Sequence, residues 1–216
     1  MMNTISLRGI LLDDMKTTAS INGGVVYHGT VEVERESGTV DQIPIALDSR
    51  RIPNLNPFDL IGQRVTVSGE VGTVTHNNAG VGHRHIVNVW VQSMYKAPDG
   101  VGDEQHVVLE GALCKAPVYR VTPLGREVCD LLIACNVGAK SNYIPVICWG
   151  RTAKRMAGAE VGDIVELVGR FQSRKYEKKL DFTDTAGEPV RVWRTAHEIS
   201  ARNCRVIGMQ RKMRAE

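Results

Sequence analysis

At 216 residues the chain is long enough for one large domain or two small ones, and its 21 glycines and 5% aromatic content lean toward β structure with tight turns. No run approaches the roughly 18 apolar residues of a membrane span, and Met1-Met2-Asn3-Thr4 lacks the basic and apolar regions of a signal peptide, so a cytoplasmic protein with no membrane partner is expected. The formal net charge of +3 hides an asymmetry: residues 1–104 carry 8 basic and 12 acidic side chains, net −4, while residues 105–216 carry 19 and 12, net +7. A basic half suits a polyanionic partner, or simply a solvated surface with surplus lysines.

Taken in order, Thr4 to Leu11 alternates like a half-buried strand. Asn22-Gly23-Gly24 turns the chain, Val25 to Glu34 alternates again, and Val40 to Leu47 is a third strand. Pro53 and Pro57 leave room for one helical turn near Phe58–Ile61. Gly62 to Val74, with Gly69 inside it, is a fourth strand, His76 to Gly82 a polar loop, and Arg84 to Tyr95 a fifth strand. Residues 97–105 are polar, rich in Gly and Pro and without periodicity, which reads as a linker. Strands then recur over Val107–Leu113, Val128–Asn136 and Tyr143–Trp149, followed by a short helix over Thr152–Ala159, a long strand over Gly162–Tyr176 and a last one over Thr195–Ile207. An interior glycine, Gly169, marks a bulge or barrel bend in the long strand.

The second series repeats the first. Ile43-Pro44-Ile45 matches Ile144-Pro145-Val146, and the run from Gly62 matches the run from Gly162, both at an offset near 100 residues. Two five-stranded units, each with a short helix between strands 3 and 4, give an all-β chain of two tandem OB-folds, small Greek-key barrels. The expected boundaries are 1–96 for the first barrel, 97–105 for the linker, 106–208 for the second barrel, and 209–216 for a short basic tail.

Residues 107–207 resemble the OB domain of bacterial single-stranded DNA-binding proteins. The resemblance rests on Leu109-Glu110-Gly111, Thr122-Pro123-x-Gly125, Tyr143-Ile144-Pro145-Val146 leading to Trp149-Gly150-Arg151-x-Ala153, Gly162-Asp163 with Val168-Gly169-Arg170, and Gln172-Ser173-Arg174-Lys175-Tyr176. Residues 4–95 resemble the same domain weakly, chiefly through the internal repeat. The resemblance implies that Tyr143, Trp149 and Tyr176 stack bases. Independently, strand parity puts Tyr143, Pro145, Ile147 and Trp149 on one face and the aliphatic Ile144 and Val146 on the other, leaving both aromatics outward. In the first repeat these positions hold Gln42, Asp48 and His76, so its stacking set is absent. The family's acidic tail tip is absent too, so replication proteins stay open as partners without that recruiting device.

Arg151, Arg170, Arg174, Lys175, Lys178, Lys179, Arg191 and Arg194 cluster along the long strand, the loop after it and the start of the last strand, where they could neutralise phosphates. His83 and His85 share a strand face, but no carboxylate or cysteine stands beside them, so no metal is expected. The five cysteines show no CxxC spacing and read as buried hydrophobes. No nucleophile motif or carboxylate pair builds a catalytic site, and no cofactor is expected. The reading is a non-enzymatic, nucleoid-associated protein, a homodimer, that binds single-stranded DNA in replication, recombination or repair. An OB-fold scaffold module of a replication or primosome complex, with weak or no DNA binding, is the alternative. RNA also stays open, since stacking does not sense the 2′-OH.

Overall fold

The computed structural model describes residues 1–19, 23–78, 82–137, 140–183 and 189–209. Twelve strands lie among them: β1 (Asn3–Leu11), β2 (Lys16–Ala19), β3 (Val25–Glu34), β4 (Val40–Asp48), β5 (Arg64–Asn78), β6 (Gly82–Lys96), β7 (Glu104–Leu113), β8 (Val118–Val121), β9 (Glu127–Val137), β10 (Lys140–Trp149), β11 (Asp163–Thr183) and β12 (Pro189–Met209). A 3-10 turn, Pro57–Leu60, stands between β4 and β5, and a helix, α1 (Gly150–Met156), between β10 and β11. The helix starts earlier than the expected Thr152–Ala159, at Gly150, and stops before Gly158, a poor helix former.

The strand pairings close twice. β1 pairs with β3 and β5, β3 with β4, β4 in parallel with β6, and β6 with β5. The second ring repeats this order: β7 with β9 and β11, β9 with β10, β10 in parallel with β12, and β12 with β11. Two strands escape the sequence reading. β2 and β8 have four residues each, all exposed, and add to the outer edges of β3 and β9. Such short, exposed strands leave no apolar alternation to detect.

Inward-facing aliphatic side chains fill both rings. Leu7, Ile43, Ile45 and Val67 are among the buried residues of the first, and Leu109, Ile144, Leu167 and Phe171 of the second. Cys129, Cys135, Cys148 and Cys204 are buried free thiols, and Cys114 is half-buried. Burial pushes the Cys135 thiol up to about 12. The Cys148 thiol, donating to the Cys204 sulfur and buried, is also pushed up.

The rings join along β1 and β7, which run antiparallel from Asn3 opposite Leu109 to Arg8 opposite Glu104. This explains why β7 begins at Glu104 rather than Val107: the added residues pair with β1. Aligning Leu7-x-Gly9 with Leu109-x-Gly111 makes Ile5 the counterpart of Val107, and these two residues face each other. The junction is therefore symmetric about that pair. Two further locks follow the same symmetry. The carboxylate of Asp41, on β4, accepts from the Ser173 N–H of β11 at 2.8 Å. The Oδ1 of Asn142, on β10, accepts from the Thr73 N–H of β5 at 2.9 Å. Asp41 is completely buried and also holds Arg35, at 2.7 and 2.5 Å, and Gln105, at 3.2 Å. Trp90, half-buried on the outside of the first ring, lies against Gly72 close to Asn142. It thus covers the contact between rings within one chain.

Each ring has a bulge at the same place. Val168 pairs with Asn203 and Gly169 with Ala201, which leaves Arg202 as the extra residue. Ser68 pairs with Ser93 and Gly69 with Val91, which leaves Gln92. The interior glycines let the backbones meet there: a Cβ on Gly169 would lie 2.3 Å from the Ser200 carbonyl oxygen, and one on Gly69 2.1 Å from that of Trp90. Beyond the bulge, β11 and β12 continue as a two-stranded arm past the expected end at Tyr176, pairing as far as Thr183 with Pro189. Backbone stands in the way at the bulge, so Gly169→Ala should destabilise the protein by about 1–3 kcal/mol as an overpacked site. Urea unfolding measures this, and a midpoint equal to that of the parent would mean that the bulge is not close-packed.

Candidate nucleic-acid interface

On β10, Ile144, Val146 and Cys148 turn into the ring, while Tyr143 is 55% and Trp149 36% exposed. The Trp149 indole N–H donates to the Ser200 hydroxyl at 3.2 Å. Ser200 is the register partner of Ile147, so the indole reaches across that step. Ile147, expected outward with the aromatics, is buried instead.

A groove of about 580 Å³ opens beside Trp149. Arg170, Gln172 and Arg174 of β11 line it, with Ser200 and Arg202 of β12 and Arg126 from the turn before β9. Arg35 and Thr39 reach it from the first ring, at the turn between β3 and β4. Its described lining thus holds five arginines and no carboxylate. Arg170 is half-buried and its Nε has no hydrogen-bond partner among the described residues. Burial, and then the nearby Arg35 and Arg202, hold its guanidinium below the usual arginine range.

The arm carries a second cluster. The Arg174 guanidinium lies 5.7 Å from the centre of the Tyr176 ring, a cation–π distance. Its Nε is 4.0 Å from Glu198, which accepts from Gln172 at 2.7 Å. Tyr176 pairs with Arg194 across the hairpin and Lys178 with Val192, so Arg174, Tyr176, Lys178 and Arg194 share one face. Lys175 lies on the other face with Trp193, which is 73% exposed. Arg191 is tied to Glu177 at 3.0 Å. Arg151 is exposed at the start of α1. The side chains of Lys179, His76, His83 and His85 lie outside the described residues, as do residues 210–216 of the tail.

Of the residues singled out from sequence, the groove brings together Trp149, Arg170 and Arg174. Tyr143, Arg151, Lys175, Tyr176, Lys178 and Arg194 lie outside its lining. Sequence reasoning missed Arg35, Thr39, Arg126, Arg202 and Trp193. Arg126 directly follows the Thr122-Pro123-Leu124-Gly125 turn, and Trp193 sits among charged residues on an outward position, so both had a local signal. Arg202 is re-aimed by a bulge and Arg35 is delivered from the other ring, neither of which a strand pattern contains.

The counterpart surface of the first ring differs in charge. Asp48 stands for Trp149, Glu70 for Arg170, Val74 for Arg174 and Gln92 for Arg202. Asp48 is engaged by Arg50, whose hydrogen bonds bring its carboxyl down to about 2. Among the described residues no group of three or more His, Cys, Asp or Glu side chains could hold a metal. No helix there is long and apolar enough to cross a membrane.

Residues 104–206 match the family model described as the single-strand binding protein family. Single-stranded DNA-binding protein 1 of Clostridium acetobutylicum is 29% identical over 105 residues, covering 43% of this chain and 96% of that protein. Single-stranded DNA-binding protein 3 of Listeria innocua is 31% identical over 96 residues, covering 39% of this chain and 60% of that protein. Among solved structures, the wild-type single-stranded DNA binding protein from Thermus aquaticus superposes with a TM-score of 0.72 at 19% identity, covering 95% of this chain and 92% of that one. A deletion mutant of it gives 0.70 at the same identity, covering 95% and 94%. At that identity the likeness speaks for the fold, a closed OB-type barrel, while residues 104–206 are similar in sequence to the single-strand binding protein family.

Proposed function

We propose that the chain binds single-stranded DNA without sequence preference, as two tandem OB-folds with divided roles. The second, residues 106–208, supplies the binding face. The first, residues 1–96, is joined to it by residues 97–105 and supports it in place of a second subunit. The observation that carries this reading is Trp149 at the edge of a groove lined by five arginines and no carboxylate. A flat aromatic can stack on any base, and the arginines can each meet a phosphate, so affinity needs no particular sequence. The match of residues 104–206 to the single-strand binding protein family model, and the names of both relatives, support the same ligand. Tyr143 and the face of Arg174, Tyr176, Lys178 and Arg194 would extend the strand's path along β10 and the arm.

Trp149→Ala should weaken oligo(dT) binding by about 1–3 kcal/mol, the value of one base–aromatic stack, and leave the melting temperature close to that of the parent. Fluorescence anisotropy with a labelled oligonucleotide measures the affinity. A variant that melts far lower yet binds normally per folded molecule would make Trp149 a packing residue instead.

We further propose a homodimer. β8 ends the order of strands with an open edge, on which Val118 and Val121 are 57% and 58% exposed. Two copies of such an edge can pair about a two-fold axis. Light scattering should give a mass about twice the 23.8 kDa of the chain. A single-chain mass at micromolar concentration would rule the dimer out and leave the two rings packed only on each other.

A further inference from the structure

We propose a phosphate site where the two rings meet, formed by Arg35 of the first ring and by Arg170 and Arg202 of the second. As a site for the strand's own phosphates it rests on the reading above, and it gives the first ring a direct part in the grip.

Three observations converge on it. Arg170 and Arg202 line the Trp149 groove and also an adjoining depression, and Arg35 lines both as well, so the three arginines mark the crest shared by the two, near enough for Arg35 and Arg202 to act on the charge of Arg170. Arg170 has a buried Nε with no hydrogen-bond partner among the described residues. A buried donor of that kind costs stability unless something accepts from it. Arg202 is the extra residue of a bulge, a device that re-aims a side chain away from the regular strand face. Counter-charge at the crest is incomplete. Asp41 is bound to Arg35 in two-pronged fashion and offsets one charge. In the adjoining depression, Asp103 is engaged by Arg64 at 2.7 Å and by the Glu34 N–H at 2.8 Å, and Glu104 by Arg8 at 3.1 Å. Glu34 and Glu36, which flank Arg35 in the chain, are exposed residues of that depression and absent from the Trp149 groove. Arginines crowded together and partly desolvated repel one another. A phosphate group would relieve that repulsion with charge-assisted hydrogen bonds.

Asp41 is then a positioning residue. It aims Arg35 at the crest and, through the Ser173 N–H, ties that aim to β11, the strand that carries Arg170.

The same chemistry fits a phosphate of a single strand or a small free polyphosphate, and one set of measurements separates them. Arg202→Gln is the variant of choice, because the first ring carries Gln92 at the equivalent bulge and the fold accepts it there. Arg35→Gln would leave the buried Asp41 carboxylate without its cation, and serves only as a companion. Parent, Arg202→Gln and the control Arg205→Gln, whose arginine is paired with Glu166, are titrated with oligo(dT) across a salt series and, separately, with inorganic pyrophosphate in a calorimeter. Expected is an Arg202→Gln protein that melts like the parent, binds oligo(dT) several-fold more weakly and shows a log–log salt slope shallower by about 0.7, one phosphate's worth on a single strand; Arg205→Gln keeps the parent slope. If the slope is unchanged but the parent binds pyrophosphate and Arg202→Gln does not, the site stands and its ligand is a free polyphosphate. An unchanged slope together with no difference in pyrophosphate binding overturns the site. A parent that binds no oligo(dT) at all would refute the broader function, and the pyrophosphate measurement would then decide the site alone: binding lost in Arg202→Gln upholds it, and no binding overturns it.

Discussion

The antiparallel pairing of β1 with β7 is the constraint on which the rest of the molecule depends. It sets Ile5 opposite its counterpart Val107, and that symmetric register fixes where every other element of one ring meets the other. The turn between β3 and β4 arrives at the second ring's groove, bringing Arg35 and Thr39. Asp41 arrives at Ser173, and Asn142 arrives at Thr73. A buried carboxylate is costly unless several donors surround it. Asp41 has them in the Arg35 guanidinium, the Gln105 amide and the Ser173 N–H. Shifting the β1–β7 register by one residue would separate these donors from the carboxylate and turn the strand faces over, so burial of Asp41 and register of the junction reinforce each other.

On this symmetric frame the two surfaces have diverged in charge. The bulge and its glycine are kept in both rings, at Gly69 and Gly169, because the backbones could not meet there otherwise. The side chains around them are not kept: Trp149, Arg170, Arg174 and Arg202 in one ring stand against Asp48, Glu70, Val74 and Gln92 in the other. Such exchanges contribute to the difference between the net charges of −4 and +7 for the two halves. The repeated strand pattern therefore carries a groove lined by arginines in the second ring, to whose edge the first ring contributes Arg35.

Much of this was legible in the chain itself. Alternation in Val25–Glu34 and the apolar runs Val40–Leu47 and Tyr143–Trp149 gave the strands, and parity gave the outward faces of Tyr143 and Trp149. Gly169 announced its bulge, and Gly69 holds the matching place in the first ring. What alternation cannot carry is information that depends on a neighbour. β2 and β8 are held by pairing with β3 and β9 rather than by any buried face of their own. β7 starts early because β1 is beside it. Ile147 is buried although its parity is that of the exposed Tyr143 and Trp149. Arg35, 135 residues before Arg170 in the numbering, entered the groove only once the rings were joined, and the same is true of the Asp41 lock that aims it.

The central claim is that the second ring's exposed aromatics and arginines engage bases and phosphates of an unpaired strand. The most direct measurement is a titration of the intact protein with oligo(dT) at low salt, following intrinsic tryptophan fluorescence, alongside a duplex of equal length. Trp149 and Trp193 are the exposed indoles, and stacking on bases should quench them. The account predicts strong quenching by oligo(dT), reversed by added salt, and little by the duplex, whose bases are already stacked on one another. Unchanged fluorescence with oligo(dT), or equal quenching by the duplex, would contradict it.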